Sequence, residues 1–111
     1  MEISTHQYKH GDLVKVTGRI DSATASQLAK TLDGITDAGR YKIVLDLSEV
    51  EFMSSAGLRV LISTQKTCKR YNRGELALAL VPKRIYDALD LAGFVPLFRF
   101  YDNTLDAIGN I

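Results

Sequence analysis

The sequence predicts a single α/β domain, and three observations carry that expectation. Apolar, strand-like runs alternate with segments of helical periodicity across short connections, the pattern of helices layered on a sheet. The run Lys42–Leu47 is almost continuously apolar, as a central strand covered on both faces requires. Two N-terminal runs flank the turn His10-Gly11-Asp12 and read as a hairpin, so the sheet is expected to be mixed. A length of 111 residues falls within the size of one fold, and no repeat, linker or low-complexity segment divides it.

Ile3–Tyr8 and Asp12–Thr17 are the two hairpin strands. Gly18-Arg19-Ile20-Asp21 leads into a helix with Asp21 or Ser22 as its N-cap. From there to Ala38, the residues Ala25, Leu28, Leu32 and Ile35 share one face. Ser22, Ser26, Lys30, Asp33 and Asp37 look the other way, and Gly39 suits the stop. The third strand, Lys42–Leu47, ends in a tight loop. A helix then starts at Ser54 or Ser55 and runs to about Asn72, with Gly74 ending it. Leu76–Val81 is a second buried-type strand. Pro82 takes the first helical position of a helix reaching Gly93. Leu97–Phe100 reads as a short edge strand, and Asp102-Asn103-Thr104 caps a last turn or two ending at Ile108.

Composition narrows the function classes. An apolar fraction of 46% and a charged fraction of 24% are those of a globular chain with a sufficient core. One cysteine, Cys68, permits no internal disulfide and fits a reducing, cytoplasmic setting. A formal charge of +1 gives no overall reason to expect nucleic acid or an acidic membrane surface. No apolar window of transmembrane length occurs, and the N-terminus lacks a secretory pattern.

The chemistry of common enzymes is missing too. The two histidines, His6 and His10, fall on or beside the first hairpin rather than in a catalytic context. The G-x-S-x-G elbow fails around Ser55 because Met53 stands at its first glycine position. One Cys and two His supply no metal-ligand spacing, and no glycine-rich nucleotide loop is present. Neither a metal nor a cofactor is expected, and the chain does not read as an enzyme.

The distinctive local feature is Ser54-Ser55 at a strand-to-helix junction. Free N–H groups and the helix dipole there favour negative charge. The plain account is a serine N-cap, worth about 1 kcal/mol. The alternatives are an anion site or a phosphorylation switch.

The segment Asp46 to Leu61, reading D-L-S-E-V-E-F-M-S-S-A-G-L-R-V-L, resembles the signature of the STAS family, specifically its bacterial anti-sigma factor antagonists. Their pattern is D-L-S-x-V-x-F-M-D-S-[STA]-G-L-x-x-L. Gly18-Arg19-Ile20-Asp21 resembles the family's G-x-[IL]-D element, and Pro82 with Leu89, Ala92, Gly93 and Phe94 resembles its C-terminal half. The resemblance spans nearly the whole chain. It implies a mixed sheet of four to five strands with helices mainly on one side.

It also implies a function: the unphosphorylated protein binds an anti-sigma factor that is also a serine kinase, so releasing a sigma factor, and a phosphatase resets the switch. The matching phosphorylated position is Ser55. Where the family has aspartate just before it, this chain has Ser54, which removes a charge and offers a second hydroxyl. By the same resemblance, Asp21 and Thr24 lie beside the serine and join the docking surface. Asp21 as N-cap and Thr24 in the first turn are compatible with that role.

Helical spacing sorts the serine helix. Val60, Leu61, Thr64, Cys68 and Tyr71 form its core face, and Arg59, Lys66, Arg70 and Arg73 point away with Lys69 beside them. Lys69, Arg70 and Arg73 complement the helix C-terminus, and Cys68 reads as a small buried hydrophobe. Leu58 and Ile62 lie on the boundary, either as a docking patch or as buried flank. The expected partner-contacting set is therefore Asp21, Thr24, Ser54, Ala56, Gly57, Leu58, Arg59 and Ile62. Asp46 is assigned to holding the strand end. The competing function is a non-signalling STAS subunit of a transport assembly, lipid transport for example, making a constitutive contact with an ATPase subunit. The first hairpin also offers an edge for a weak homodimer.

Overall fold

A computed structural model of the chain describes all residues except Asn72. Among the described residues a single five-stranded sheet has the order β1-β2-β3-β4-β5. β1 (Glu2–Gln7) runs antiparallel to β2 (Asp12–Ile20). The pairs from β2 to β3 (Lys42–Met53), β4 (Glu75–Ala79) and β5 (Phe100–Tyr101) are parallel. Four α-helices accompany them among the described residues: α1 (Ala25–Asp37), α2 (Ser55–Arg70), α3 (Lys83–Leu91) and α4 (Thr104–Asn110).

Each parallel strand sits beside its predecessor, and right-handed crossovers between neighbours put their helices on one face. The main core accordingly joins Ile43, Leu45 and Leu47 of β3 to Leu28 and Leu32 of α1, Leu61 of α2, and Ile85 and Leu89 of α3. Alternation turns Val44 to the other face, where it meets Ala77, Ala79 and Ala107 of the short α4. The mixed sheet, with helices mainly on one side, is thus present.

Several boundaries differ from the sequence reading. β3 does not end at Leu47; Ser48–Met53 is strand, not loop, and this part pairs with β2 alone, because β4 stops opposite Asp46. Two register shifts, between Lys15 and Thr17 and between Gly18 and Arg19, insert extra residues there. The buried residues Val50 and Met53 are consequently three apart, which breaks the two-residue period by which a strand is recognised. Asp46 is buried, and its carboxylate accepts from Ser48 N at 2.9 Å just where pairing to β4 ends. β2 likewise runs past Thr17 to Ile20, with Gly18 at φ +104° beside the second shift.

Other differences are local. Residues Val95–Leu97, around Pro96, form a 3₁₀ turn, so the edge strand is Phe100–Tyr101 rather than Leu97–Phe100. Pro82 precedes the first residue of α3 instead of occupying it, a one-residue shift at a frayed boundary. In α1 the buried set is Ala25, Leu28, Leu32 and Thr36, with Ile35 half-buried. α2 ends at Arg70, and the expected end at Asn72 lies outside the described residues. Tyr71, placed in the core by spacing, is 43% exposed because the helix stops before it; its ring stacks on Tyr41 at 4.6 Å.

Gln65 takes a core place that polarity had hidden. Its amide donates to Leu76 O and Leu97 O and accepts from Leu76 N, fastening α2 to β4 and the 3₁₀ turn. Cys68 is fully buried, and burial pushes its thiol up to about 11, which keeps it a protonated, inert filler.

Candidate functional site

β2 and β3 are parallel neighbours whose last residues, Ile20 and Met53, are register partners. The two loops that follow therefore emerge side by side, at the carboxyl ends of the strands where open α/β sheets build their sites. Ser54 N donates to Ile20 O at 2.8 Å and ties the second loop to the first.

The β3–α2 junction separates the two serines. Ser54 is extended and half-buried, and its Oγ accepts from Gly57 N at 3.3 Å, so it is the N-cap of α2. Ser55 is the first helical residue and is exposed. One hydroxyl is spent on the helix and the other faces solvent. The first turn of α2 contains no acidic side chain. Replacing the cap, Ser54→Ala, is expected to lower stability by about 1 kcal/mol in urea unfolding while leaving Ser55 exposed.

The β2–α1 loop is a compact turn. Asp21 Oδ1 accepts from Ala23 N at 3.0 Å and Thr24 N at 3.1 Å. Thr24 Oγ1 accepts from Asp21 N at 2.9 Å and donates to Arg19 O at 2.8 Å. Asp21 thus caps the turn Ser22–Thr24, and α1 proper starts only at Ala25, later than the expected cap position implied. Partial desolvation pushes the Asp21 carboxyl up. Its bonds from Ala23 N, the Thr24 hydroxyl and Thr24 N, with the Arg19 guanidinium nearby, outweigh that and hold it below its ordinary value of 3.8.

A folded-state value below the unfolded one stabilises the protein above that pH range, and the contribution is lost as pH falls through it. Acid unfolding of the wild type below about pH 4 should therefore be steeper than that of Asp21→Asn, as followed by circular dichroism.

The remaining expected contacts gather around this pair of loops. Arg59 is exposed one turn beyond Ser55, while Ala56, Leu58 and Ile62 are half-buried with one side against the main core. Gly57 is buried, and a Cβ there would lie 2.7 Å from Ile20 Cγ2, so its place is the contact between helix and strand ends. Sequence reasoning missed an exposed pair near the rim, where Arg19 lies 4.5 Å from the centroid of the Phe52 ring. The bulge between Gly18 and Arg19 aligns these two residues, and neither stands out by spacing.

His10 lies in the turn before β2, and β2 runs nine residues from there to the serine end, about 26 Å. Neither it nor His6, opposite Leu13, is placed to act as a base for Ser55. Among the described residues no group of three His, Cys, Asp or Glu side chains could hold a metal ion, and no helix is long and apolar enough to cross a membrane.

Known proteins share this fold. The sequence profile of the STAS domain matches residues 3–107. BtrV of Bordetella bronchiseptica, provisionally named an anti-sigma factor antagonist, is 35% identical over 81 residues, 73% of this chain and 69% of that one. The anti-sigma F factor antagonist of Paenibacillus polymyxa is 26% identical over 97% of this chain and 92% of its own. The Bacillus cell fate determinant SpoIIAA, solved in its phosphorylated form, superimposes with a TM-score of 0.78 at 14% identity over 98% of both chains.

Proposed function

The chain belongs to the STAS domain family, and from that premise we propose that it is an anti-sigma factor antagonist switched by phosphorylation of Ser55. Unmodified, it binds an anti-sigma factor that is also its serine kinase, and the sigma factor is released. The kinase holds ATP and transfers the γ-phosphoryl group to Ser55 Oγ: the new P–O bond replaces the bond to the β–γ bridging oxygen, ADP departs, and the hydroxyl proton leaves to a base of the kinase. A phosphatase hydrolyses the phosphoester and restores the hydroxyl. The names of its relatives support the antagonist role.

One observation carries the choice of residue: Ser54 is committed to the helix cap while Ser55 is exposed at the next position. A kinase needs an acceptor oxygen it can reach without breaking structure, and Ser55 is that oxygen. Asp21 and Thr24 form the adjoining rim, and Ala56, Leu58, Arg59 and Ile62 continue the docking surface along α2. Gly57 serves that surface from beneath by seating the helix.

The test is peptide mass spectrometry on the protein taken from its native cells before and after stress. Phosphate on Ser55 with an occupancy that changes between conditions supports the proposal. Phosphate confined to Ser54 refutes the residue assignment. No phosphate under any condition, with constant co-purification of a transport complex, refutes the switch and favours a constitutive subunit.

A further inference from the structure

We infer that a second copy of this chain pairs antiparallel with β1, joining two five-stranded sheets across a twofold axis centred on Ser4. The proposal is independent of the serine switch. β1 is the outer strand of the sheet, and every residue in it but the half-buried Ile3 is exposed. Edge strands are commonly blunted by Lys, Pro or a bulge. β1 pairs with β2 through six consecutive residues without a register shift, and Glu2–Gln7 contains neither Lys, Arg nor Pro.

The direction of the free groups fixes the permitted registers. Tyr8 N donates to Gly11 O at 2.8 Å, and the register Gln7↔Asp12 continues regularly to Glu2↔Thr17. Alternation therefore turns the backbone N–H and C=O of the even-numbered residues toward β2, and those of Ile3, Thr5 and Gln7 outward. A twofold antiparallel pair must join outward residues to outward residues. Centring on Ser4 satisfies this by pairing Ile3 with Thr5 twice. The same register sets Glu2 opposite His6 at both ends, in the non-hydrogen-bonded positions where facing side chains approach most closely. There an imidazole N–H can donate to the carboxylate.

Strand pairing alone buries less than a standard interface of about 1,600 Å², so a weak dimer is expected, with a dissociation constant on the order of 100 µM. The loops after Ile20 and Met53 lie on other strands and stay free.

Sedimentation equilibrium from about 10 µM to 1 mM tests this, a range that brackets the expected constant. The wild type should dimerise with concentration. Thr5→Pro removes an outward N–H that β2 does not use and should be monomeric while keeping the wild-type circular dichroism. His6→Glu places two carboxylates opposite each other at each end and should weaken the dimer about tenfold. Glu2→Lys combined with His6→Glu should restore it. A wild type that stays monomeric throughout, a Thr5→Pro variant that dimerises normally, or a charge swap without recovery overturns the inference. Should Thr5→Pro unfold, the charge-swap pair decides alone.

Discussion

Phosphorylated Ser55 is expected to bind the anti-sigma factor more than about a hundredfold more weakly than the unmodified protein, with a thermal midpoint equal to or above it. The phosphate brings about −1.5 to −2 charge and three acceptor oxygens to a surface fitted to a bare hydroxyl. A penalty near 3 kcal/mol from charge, bulk and desolvation suffices for that loss. The fold should tolerate the same group well. Ser55 is exposed, so nothing buried must move, and the first turn of α2 carries no acid for the phosphate to repel. The helix dipole favours an anion there, and Arg59, four residues on, is an exposed cation on the same helix face. Calorimetry of both forms, titrated with the anti-sigma factor captured by the unmodified protein, separates the two effects. Weak binding with an intact midpoint is the expected result. A midpoint lowered by about 5 °C or more would mean that the modification acts by unfolding the site, and the docking account would fail.

The architecture was legible because its signals are local and redundant. The nearly continuous apolar run of Ile43–Leu47, the period of Leu28 and Leu32, and the cap at Asn103 each announce an element in a few residues, and the observed fold contains all three elements. The failures occur where geometry depends on a distant partner. Ser48–Met53 looks like a loop because register shifts against β2 destroy its alternation, and those shifts are properties of the pair. Gln65 looks like surface because its three bonds go to Leu76 and Leu97, far along the chain. Tyr71 fits the core face of an ideal helix, but α2 ends one residue earlier. The serine junction itself could be read, yet not which hydroxyl was free. That depends on the rotamer with which Ser54 reaches Gly57 N.

Gly57→Ala should destabilise the protein by about 2 kcal/mol, although alanine favours a helix over glycine by about 1 kcal/mol. The new Cβ would stand 2.7 Å from Ile20 Cγ2 and 2.9 Å from Met53 Cγ, distances that real contacts do not reach. Ile20 is 0% exposed and Met53 6%, so neither can retreat into solvent. Overpacking of this kind typically costs 1–3 kcal/mol and here must exceed the propensity gain. Gly34 in α1 supplies the opposite case. It is exposed, and a Cβ there meets nothing within 4 Å. Gly34→Ala should therefore stabilise by about 0.5–1 kcal/mol in the same urea titration, since only the propensity remains. The contrast also bears on function. Relief of the clash at Gly57 must lift the start of α2 away from the ends of β2 and β3, carrying Ser55 away from the Asp21–Thr24 turn. Partner affinity should fall in Gly57→Ala even under conditions where the variant is fully folded, and it should not change in Gly34→Ala. Equal affinity of folded Gly57→Ala and wild type would show that the close seating of the helix serves stability alone, and that the two loops need not be held together for docking.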